Sequence, residues 1–401
     1  MMTTECVLLR DVRPWGAELT DILIRDGHIA AISPGQIAPA EADMIDGAGA
    51  IVLPGLVEAH THLDKTLWGM GWRPYQAGPA LGDKIDTERR LRAEWDVDPH
   101  RQSLRQALLS LGHGSTAIRS HVDIDTDWGL AGFEGVAQTR ADLADQIDMQ
   151  IVAFPQSGLL KRPGTLDLMQ EALTQGADVV GGLDPCSMDR DPKGHLDAVF
   201  GLAERHAKPI DIHLHEPDEL GAFSMELILE RVRAHGMQGQ VTISHAFCLG
   251  MPDRDRARAL IAALAEARIH IATVATPYRP VPSAGDLRAA GVTLCAGSDG
   301  IRDCWGPYGN GDMLERAMHL GLRNNLRRDE DVEHALRCCT YAGAEVMALA
   351  DYGLKIGCRA DLVLVDAETV AHAVVSYPPR KLVLKAGRVV ARDGRAGMAA
   401  P

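Results

Sequence analysis

The chain has 401 residues, enough for two or three domains of about 150 residues, or for one large barrel with an appended domain. Hydrophobic residues make up 46% and charged residues 24%, which excludes a disordered or low-complexity chain. The net charge of −14 and the lack of any Lys or Arg run argue against nucleic-acid and membrane-surface binding.

The cysteines and the N-terminus indicate a cytoplasmic protein. The eight cysteines show neither CxxC pairs nor the spacing of a disulfide framework, so we expect reduced thiols. Glu5, Arg10 and Asp11 interrupt what would have to be an apolar signal region. No apolar run approaches the roughly 18 residues of a membrane-spanning helix.

Both ends of the chain carry short strand-like runs broken by Gly, Pro and Asp. These runs cover residues 5–12, 18–33, 43–55, 360–367 and 380–394. Because the two sets are similar in character and lie about 300 residues apart, we expect the termini to form one discontinuous β-sandwich domain. Its predicted bounds are residues 1–55 plus 355–401.

Between the ends, eight short apolar runs alternate with amphipathic helical segments. The predicted strands are residues 56–63, 115–125, 148–156, 179–185, 209–216, 241–247, 270–276 and 292–299. Helical segments between them are residues 98–114, 165–178, 195–208, 219–236 and 254–268. Eight such units predict an α/β fold, a (β/α)8 TIM barrel over residues 56–354.

Polar residues cluster at the C-terminal ends of these predicted strands. They are His60, His62, His121, Asp123, Gln156, Asp184, His213, His215, Glu216, His245 and Asp299. Barrel enzymes place their active sites at these ends, so residues far apart in sequence can converge on one pocket.

His60 and His62 give the strongest single signal. Residues two apart in a strand face the same side, so both imidazoles can hold one cation. Strand five adds His213 and His215 on one face, followed by Glu216. An isolated buried His is more often a hydrogen-bonded core residue, and a lone Asp after a strand is more often a helix N-cap. Several such clusters on different strands favour a site.

These motifs resemble the amidohydrolase superfamily, specifically its cytosine deaminase-like branch, over nearly the whole chain. The matching segments are HTHLDK at residues 60–65, FPQ at 154–156, HLHEPDE at 213–219, SHAF at 244–247, GSDGIRDCWGPYGNGDML at 297–314 and KIGCRADLVLVDA at 355–367. The resemblance implies one divalent metal ion held by His60, His62, His213 and Asp299. Zinc is our first expectation, and iron or manganese also suits such ligands.

The resemblance also implies roles for four further residues. His245 would orient or deprotonate the water, Glu216 would shuttle a proton, Gln156 would bind the polar edge of the substrate ring, and Trp305 would cover that ring. No carboxylated lysine of a binuclear site is expected, since strand four ends in GGLDP.

Two positions depart from the cytosine deaminase pattern. Gly300 stands where those enzymes have a second acid after Asp299, and Lys65 stands where a threonine is expected. A lysine here is similar to relatives that act on triazines and other amino-substituted heterocycles. Both changes affect substrate choice rather than the metal.

Other residues have two interpretations each. His121 and Asp123 could contact substrate, or they could pack and orient their neighbours. His215 is expected to support the site rather than to bind the metal. Trp68, Trp72 and Tyr75 could lie in a loop over the pocket and hold a planar ring, or could simply anchor that loop.

The expected function is that of a metal-dependent aminohydrolase, or deaminase, acting on a small planar amino-substituted nitrogen heterocycle. Metal lowers the pKa of water toward about 7, so hydroxide can attack the ring carbon. Glu216 would then protonate the adjacent ring nitrogen, and Asp299 would relay a proton to the departing ammonia.

The main alternative is an amidohydrolase that releases an alkylamine from an N-substituted ammelide or opens a cyclic amide. A remote alternative is a non-catalytic barrel that binds a ligand. The expected partners are a small heterocyclic substrate and, by resemblance to the family, further copies of the chain in a homo-oligomer, but no nucleic acid and no membrane.

Overall fold

A computed structural model of the chain describes residues 6–401; residues 1–5, where the predicted β domain starts, lie outside it. The strands within that range are β1 (Cys6–Pro14), β2 (Thr20–Arg25), β3 (His28–Ser33), β4 (Asp43–Asp46), β5 (Ile51–Pro54), β6 (Leu56–Thr61), β7 (Ser115–Asp123), β8 (Asp148–Phe154), β9 (Val179–Leu183), β10 (Ile210–His213), β11 (Val241–Ser244), β12 (His270–Thr273), β13 (Leu294–Ala296), β14 (Leu362–Val365), β15 (Arg380–Lys385), β16 (Arg388–Arg392) and β17 (Arg395–Ala396).

The helices lie mainly between the strands of the central region. They are α1 (Leu81–Trp95), α2 (Pro99–Gly112), α3 (Ala131–Asp142), α4 (Thr165–Thr174), α5 (Pro192–His206), α6 (Asp218–His235), α7 (Arg254–Glu266), α8 (Ala284–Ala290), α9 (Met313–Arg323), α10 (Asp329–Cys338), α11 (Tyr341–Val346) and α12 (Val370–Ser376).

Strands β6 to β13 form a barrel. Each strand pairs in parallel with the next one along the chain. The two edges of this sheet meet where Thr61 bridges Asp299, and the Asp299 amide donates to the His60 carbonyl over 2.9 Å. This closure confirms the predicted TIM barrel.

Several barrel helices begin where the sequence carries start signals. The side chains of Asp98, Asp191 and Asp253 each accept a hydrogen bond from the backbone amide three residues later, and proline occupies the first helical position after Asp98 and Asp191. These caps explain why α2, α5 and α7 start within a few residues of the predicted segments.

The five predicted helical segments correspond to α2, α4, α5, α6 and α7. Two of the helices outside those segments, α1 and α12, show why the sequence pattern did not indicate them. Helix α1 lies in the connection between β6 and α2, and its buried described side chains are two apolar ones, Ile85 and Leu91, and two charged ones, Glu88 and Arg92. Such a face gives no clear apolar periodicity. Helix α12 interrupts the C-terminal region, which the sequence indicated to be all β, because Val370 and its neighbours pack into the barrel's core.

Strands from both ends of the chain form one β domain, as predicted, and within residues 6–401 they make up a nine-stranded sheet. Strand β5 pairs in parallel with β1 and antiparallel with β14, and so joins the N-terminal strands to the C-terminal ones. The exact boundaries between this β domain and the barrel stay a prediction.

The middle strands of the sheet are buried on both faces. In β14, Leu362 and Leu364 pack in the core of the β domain, whereas Val363 and Val365 pack against the barrel's core. Because alternate residues of a strand point to opposite faces, one strand contributes to two cores. The β domain is therefore attached to the barrel by apolar packing.

Two buried cations on β15 reinforce this attachment. The Arg380 guanidinium donates to the carbonyl of His113 over 2.8 Å, and the Lys385 ammonium donates to the carbonyl of Thr116 over 3.0 Å. Both acceptors lie in the stretch that runs from α2 into β7. These bonds hold the C-terminal sheet to the base of a strand whose other end carries site residues.

No helix within residues 6–401 is long and apolar enough to cross a membrane. All eight cysteines fall in that range, and none forms a disulfide.

Candidate active site

Five imidazoles converge at the carboxyl ends of the barrel strands, and we call them the histidine cluster. The cluster comprises His60, His62, His121, His213 and His245. One nitrogen from each of the first four lies within 4.8 Å of the others. The ring centroids of His60 and His213 are 4.7 Å apart, although 153 positions separate the residues. The barrel brings together three of the predicted metal ligands.

Asp299, the fourth predicted ligand, lies beside two of these rings. Its Oδ1 is 3.2 Å from His62 Nε2 and 3.7 Å from His60 Nε2. Asp299 also forms a potential ligand group with His60 and His245. All four predicted ligands therefore surround one region, and His121 lies among them as a further neighbour.

The histidine cluster is in the right state to bind a cation. Within residues 6–401, both ring nitrogens of His213 and His245 lack a hydrogen-bond partner, and so do His60 Nε2, His62 Nδ1 and His121 Nδ1. Burial lowers the pKa of His62 to about 3 and that of His121 to about 4, and it holds the pKa of His213 well below its usual value. Neutral imidazoles with free lone pairs are the form that binds metal.

A hydrogen-bonded chain fixes the tautomer of His60. The Ser244 hydroxyl donates to Asp211 Oδ1 over 2.6 Å and lies 2.9 Å from His60 Nδ1. Because the hydroxyl hydrogen already goes to Asp211, Ser244 must accept from His60 Nδ1. The lone pair of His60 is then on Nε2, the nitrogen that faces Asp299.

The deeper barrel layer holds that chain in place. The Arg119 guanidinium donates to Asp211 Oδ2 over 3.2 Å, and His121 Nε2 lies 3.4 Å from Asp211 Oδ1. Phe154 stacks on the His213 ring with centroids 4.1 Å apart. The charged pair of Arg119 and Asp211 therefore helps to orient His121, and the Phe154 ring helps to orient His213.

Three site residues adopt left-handed backbone conformations where the chain leaves a strand. The φ angles are 37° at Asp184, 70° at His245 and 62° at Asp299. Such values are unfavourable for residues with a Cβ and concentrate at functional sites. Here they turn each side chain as its strand ends.

Glu216 is buried and hydrogen-bonded on both carboxylate oxygens. Oε1 accepts from the Ser187 amide over 2.6 Å, and Oε2 bonds with the Ser224 hydroxyl. Its neighbour His215 bonds Asp184 Oδ2 through Nδ1 over 2.8 Å and stacks on His245. The structure thus holds Glu216 rigidly and leaves His215 engaged with Asp184.

A second group, the ion cluster, consists of Asp64, Lys65, Glu88, Arg92 and Asp123, all at most 5% exposed. Lys65 Nζ lies 3.4 Å from Glu88 Oε2 and 3.3 Å from Asp123 Oδ2. Arg92 bonds Glu88 and Asp123 and lies 3.9 Å from Asp64. Since these carboxylates are already paired with cations, the grouping of Asp64 and Asp123 with His62 is not a second metal site.

The sequence reasoning missed the part of this cluster that α1 supplies. Glu88 and Arg92 are one helical turn apart, so both reach the same face, and they bring α1 over Lys65 and Asp123. The only sequence signal was an acid and a base four residues apart in a charged segment, which is common on exposed helices.

The candidate substrate-binding residues divide into two groups. Lys65 Nζ lies 3.5 Å from Gln156 Oε1 and 4.9 Å from the centre of the Trp305 ring, so these three side chains meet. Trp68 and Trp72 instead lie against the Arg302 guanidinium, at 5.3 and 5.7 Å, and Trp72 is 67% exposed. Trp72 also contacts the Tyr75 ring, with centroids 5.5 Å apart, so Trp68 and Trp72 pack within the loop and against Arg302 rather than against Lys65.

The chain is similar to known proteins in both sequence and fold. The sequence model of the Amidohydrolase family matches residues 102–391. The crystal structure of N-isopropylammelide isopropylaminohydrolase from Burkholderia multivorans ATCC 17616 is similar with a TM-score of 0.94 and 50% sequence identity, over 98% of this chain and 100% of that one.

Two further proteins are similar over most of their length. N-isopropylammelide isopropyl amidohydrolase of Pseudomonas sp. (strain ADP) is 32% identical over 359 residues, which is 88% of each chain. The crystal structure of 5-methylcytosine deaminase from Klebsiella pneumoniae, liganded with 5-fluorocytosine, has a TM-score of 0.85 and 28% identity over 96% of this chain and 97% of that one.

Proposed function

The chain belongs to the amidohydrolase family, as the sequence motifs predicted, and on that premise we propose that it releases an alkylamine from an N-alkyl-substituted ammelide-like triazine. A hydrolase acting on carbon–nitrogen bonds is what the family establishes. The observation that carries the proposal is the histidine cluster with its free nitrogens beside Asp299, in a chain 50% identical to an N-isopropylammelide isopropylaminohydrolase.

We propose that one divalent ion, zinc in the first instance, is held by His60, His62, His213 and Asp299. Neutral imidazoles and a carboxylate suit zinc, iron and manganese alike. When bound, such an ion supplies Lewis-acid activation of water near neutral pH. His121 is the additional candidate ligand, because it belongs to the same potential ligand group and its Nδ1 has no hydrogen-bond partner within residues 6–401.

The reaction adds water to the ring carbon that bears the exocyclic amine and breaks the bond from that carbon to the amine. The products are a ring carbonyl and a free alkylamine. We propose that Asp299, which lies near His60 and His62, takes a proton from water and passes it to the leaving nitrogen. We propose that His245, whose ring nitrogens have no hydrogen-bond partner within residues 6–401, orients that water.

Glu216 is proposed to protonate the ring nitrogen next to the carbon under attack. The hydrogen bond between Glu216 Oε2 and the Ser224 hydroxyl can change direction, because a hydroxyl can either donate or accept. A proton can therefore be carried on Glu216 without breaking the contacts that position it. The Ser187 amide keeps one oxygen fixed throughout.

The proposed ring-binding groups are Lys65, Gln156 and Trp305. The Lys65 ammonium keeps its charge, since Asp123 and Glu88 outweigh the effect of burial and raise its pKa. It can donate to a ring carbonyl oxygen, which N-substituted ammelides carry. Gln156 Nε2 and Trp305 Nε1 are both buried without a partner, and Trp305 offers a flat face to a planar ring.

The second candidate is deamination of an aminopyrimidine such as cytosine. The likeness to 5-methylcytosine deaminase favours it, and the same groups would release ammonia instead of an alkylamine. The positive charge of Lys65 beside Gln156 favours a ring with more carbonyl oxygens, and for that reason we place the triazine first.

The test is a product panel on the zinc-loaded chain. N-isopropylammelide, cytosine, 5-methylcytosine and a lactam are each incubated with it, and alkylamine and ammonia are measured separately. We expect isopropylamine release with the highest kcat/KM. Ammonia from cytosine alone would support the second candidate, and turnover of the lactam alone or of nothing would reject both.

A further inference from the structure

The glycine that follows Asp299 lies directly against another carboxyl group. A Cβ built on Gly300 would be 1.9 Å from Asp303 Oδ2 and 2.8 Å from Asp303 Cγ. No side chain fits at position 300 unless Asp303 moves. The Asp303 carboxylate therefore occupies the space next to Gly300 that a side chain at position 300 would fill.

Asp303 is held in this position by the following loop. Its Oδ1 accepts hydrogen bonds from the backbone amides of Trp305 over 2.8 Å and Gly306 over 3.0 Å, and the residue is 5% exposed. Oδ2 receives no hydrogen bond from residues 6–401. One oxygen thus fixes the group, and the other is free to accept a hydrogen bond.

The surroundings of Asp303 are those of the proposed ring-binding pocket. Burial raises its pKa, while the positive charge of Lys65 opposes that rise and the negative charge of Asp299 adds to it. Trp305, whose amide binds Asp303, has its ring 4.9 Å from Lys65 Nζ. Asp303 therefore contacts the backbone of Trp305 and lies near enough to Lys65 and Asp299 for their charges to affect its pKa.

We propose that Asp303, through Oδ2, is a specificity-determining residue that accepts a hydrogen bond from an N–H group of the substrate, in the place of a side chain at position 300. This rests on the proposed function. Lys65 as donor and Asp303 as acceptor together select a ring that presents a carbonyl oxygen and an N–H group. A dioxotriazine with an N-alkylamino substituent has both.

The first test is Asp303→Asn. Asparagine keeps an oxygen for the Trp305 and Gly306 amides but replaces Oδ2 with a donor. We expect kcat/KM for N-isopropylammelide to fall about 10- to 100-fold, mainly through KM, because a charged acceptor is lost and two donors then face each other. Zinc content and melting temperature should stay at the wild-type values.

The second test moves the acid to position 300. The double variant G300D/D303A carries a carboxylate on the other backbone position, and G300A/D303A is its matched control without one. We expect G300D/D303A to have at least about 5-fold higher kcat/KM than the control. Equal kcat/KM values for the two double variants would contradict the proposal that a carboxylate at position 300 can replace that of Asp303.

The third measurement uses a substrate analogue methylated on the ring nitrogen. The wild-type chain should discriminate strongly against it, and D303N should discriminate far less, because the methyl group removes the hydrogen that Asp303 accepts. If the wild-type chain turns over N-isopropylammelide and kcat/KM of D303N is within about 2-fold of the wild-type value, this inference alone is overturned. A wild-type chain inactive on the whole panel would overturn the proposed function as well.

Discussion

The histidine cluster and the ion cluster lie next to each other, are equally buried, and differ in how their polar groups are satisfied. In the histidine cluster, seven ring nitrogens have no hydrogen-bond partner within residues 6–401: His60 Nε2, His62 Nδ1, His121 Nδ1 and both nitrogens of His213 and His245. In the ion cluster, every charged group contacts at least one opposite charge. Buried polar groups are costly without partners, so the first cluster indicates a bound cation and the second a scaffold that holds Lys65 and α1.

The largest effect is expected from His213→Ala. The variant should lose bound zinc and at least about 10³-fold in kcat, since several kcal/mol of transition-state stabilisation depend on the ion. Metal per chain is measured by elemental analysis. His235→Ala, on the exposed end of α6, is the control and should keep both properties. Normal zinc content in His213→Ala would contradict the conclusion that the histidine cluster binds the metal ion.

Arg92→Ala should reduce stability rather than metal binding. It leaves Asp123 and Glu88 with only Lys65 for compensation, and loss of one partner from a buried ion pair costs about 3 kcal/mol or more. The control is Arg90→Ala in the same helix, where the exposed pair with Glu94 is worth less than about 0.5 kcal/mol. Chemical denaturation of the zinc-loaded proteins measures both. Equal losses in the two variants would contradict a scaffold role.

Glu216→Gln tests a residue that resembles neither the histidine cluster nor the ion cluster. Both carboxylate oxygens of Glu216 are hydrogen-bonded, and yet we propose that it transfers a proton. We expect kcat to fall about 10²-fold with metal content unchanged. Single-turnover kinetics on the zinc-loaded variant measures the chemical step. Near-normal kcat would assign Glu216 to the scaffold as well.

The last effect is a dependence of stability on pH that arises in the ion cluster. Burial raises the pKa of Glu88 from 4.5 to about 8, and the negative charge of Asp123 adds to this rise, although the charges of Lys65 and Arg92 oppose it. The folded state then binds a proton that the unfolded state releases. This contribution is complete below about pH 4.5 and is lost as pH rises towards 8. Glu88→Gln should flatten the stability profile between pH 5 and 8, and an unchanged slope would contradict the assignment.

The sequence was sufficient for the barrel and for the convergence of its strand ends. His60 and His62 needed only the two-residue period of a strand, and His213, His245 and Asp299 needed only the rule that active sites lie at the carboxyl ends of barrel strands. The resemblance to the amidohydrolase superfamily added the proposed ligand set.

The sequence was not sufficient for contacts made by irregular or charged segments. The burial of Glu88 and Arg92 depends on where α1 docks, and a mostly charged helix carries no apolar stripe to indicate that. The approach of Asp303 to Gly300 depends on the backbone path of a loop. Helix α12 was missed because its valines occur in a short segment that also suits a strand.

The two-ended β sheet also sets an order of events for a chain emerging from the ribosome. Strand β5 cannot acquire its partner β14 until residues 362–365 have been made. At about 5–20 residues per second, the 308 residues from Gly55 to Leu362 take roughly 15–60 s to synthesise. During that interval one edge of β5 is open, so the nascent N-terminal strands depend on chaperones or on their own short hairpins to avoid pairing with another chain.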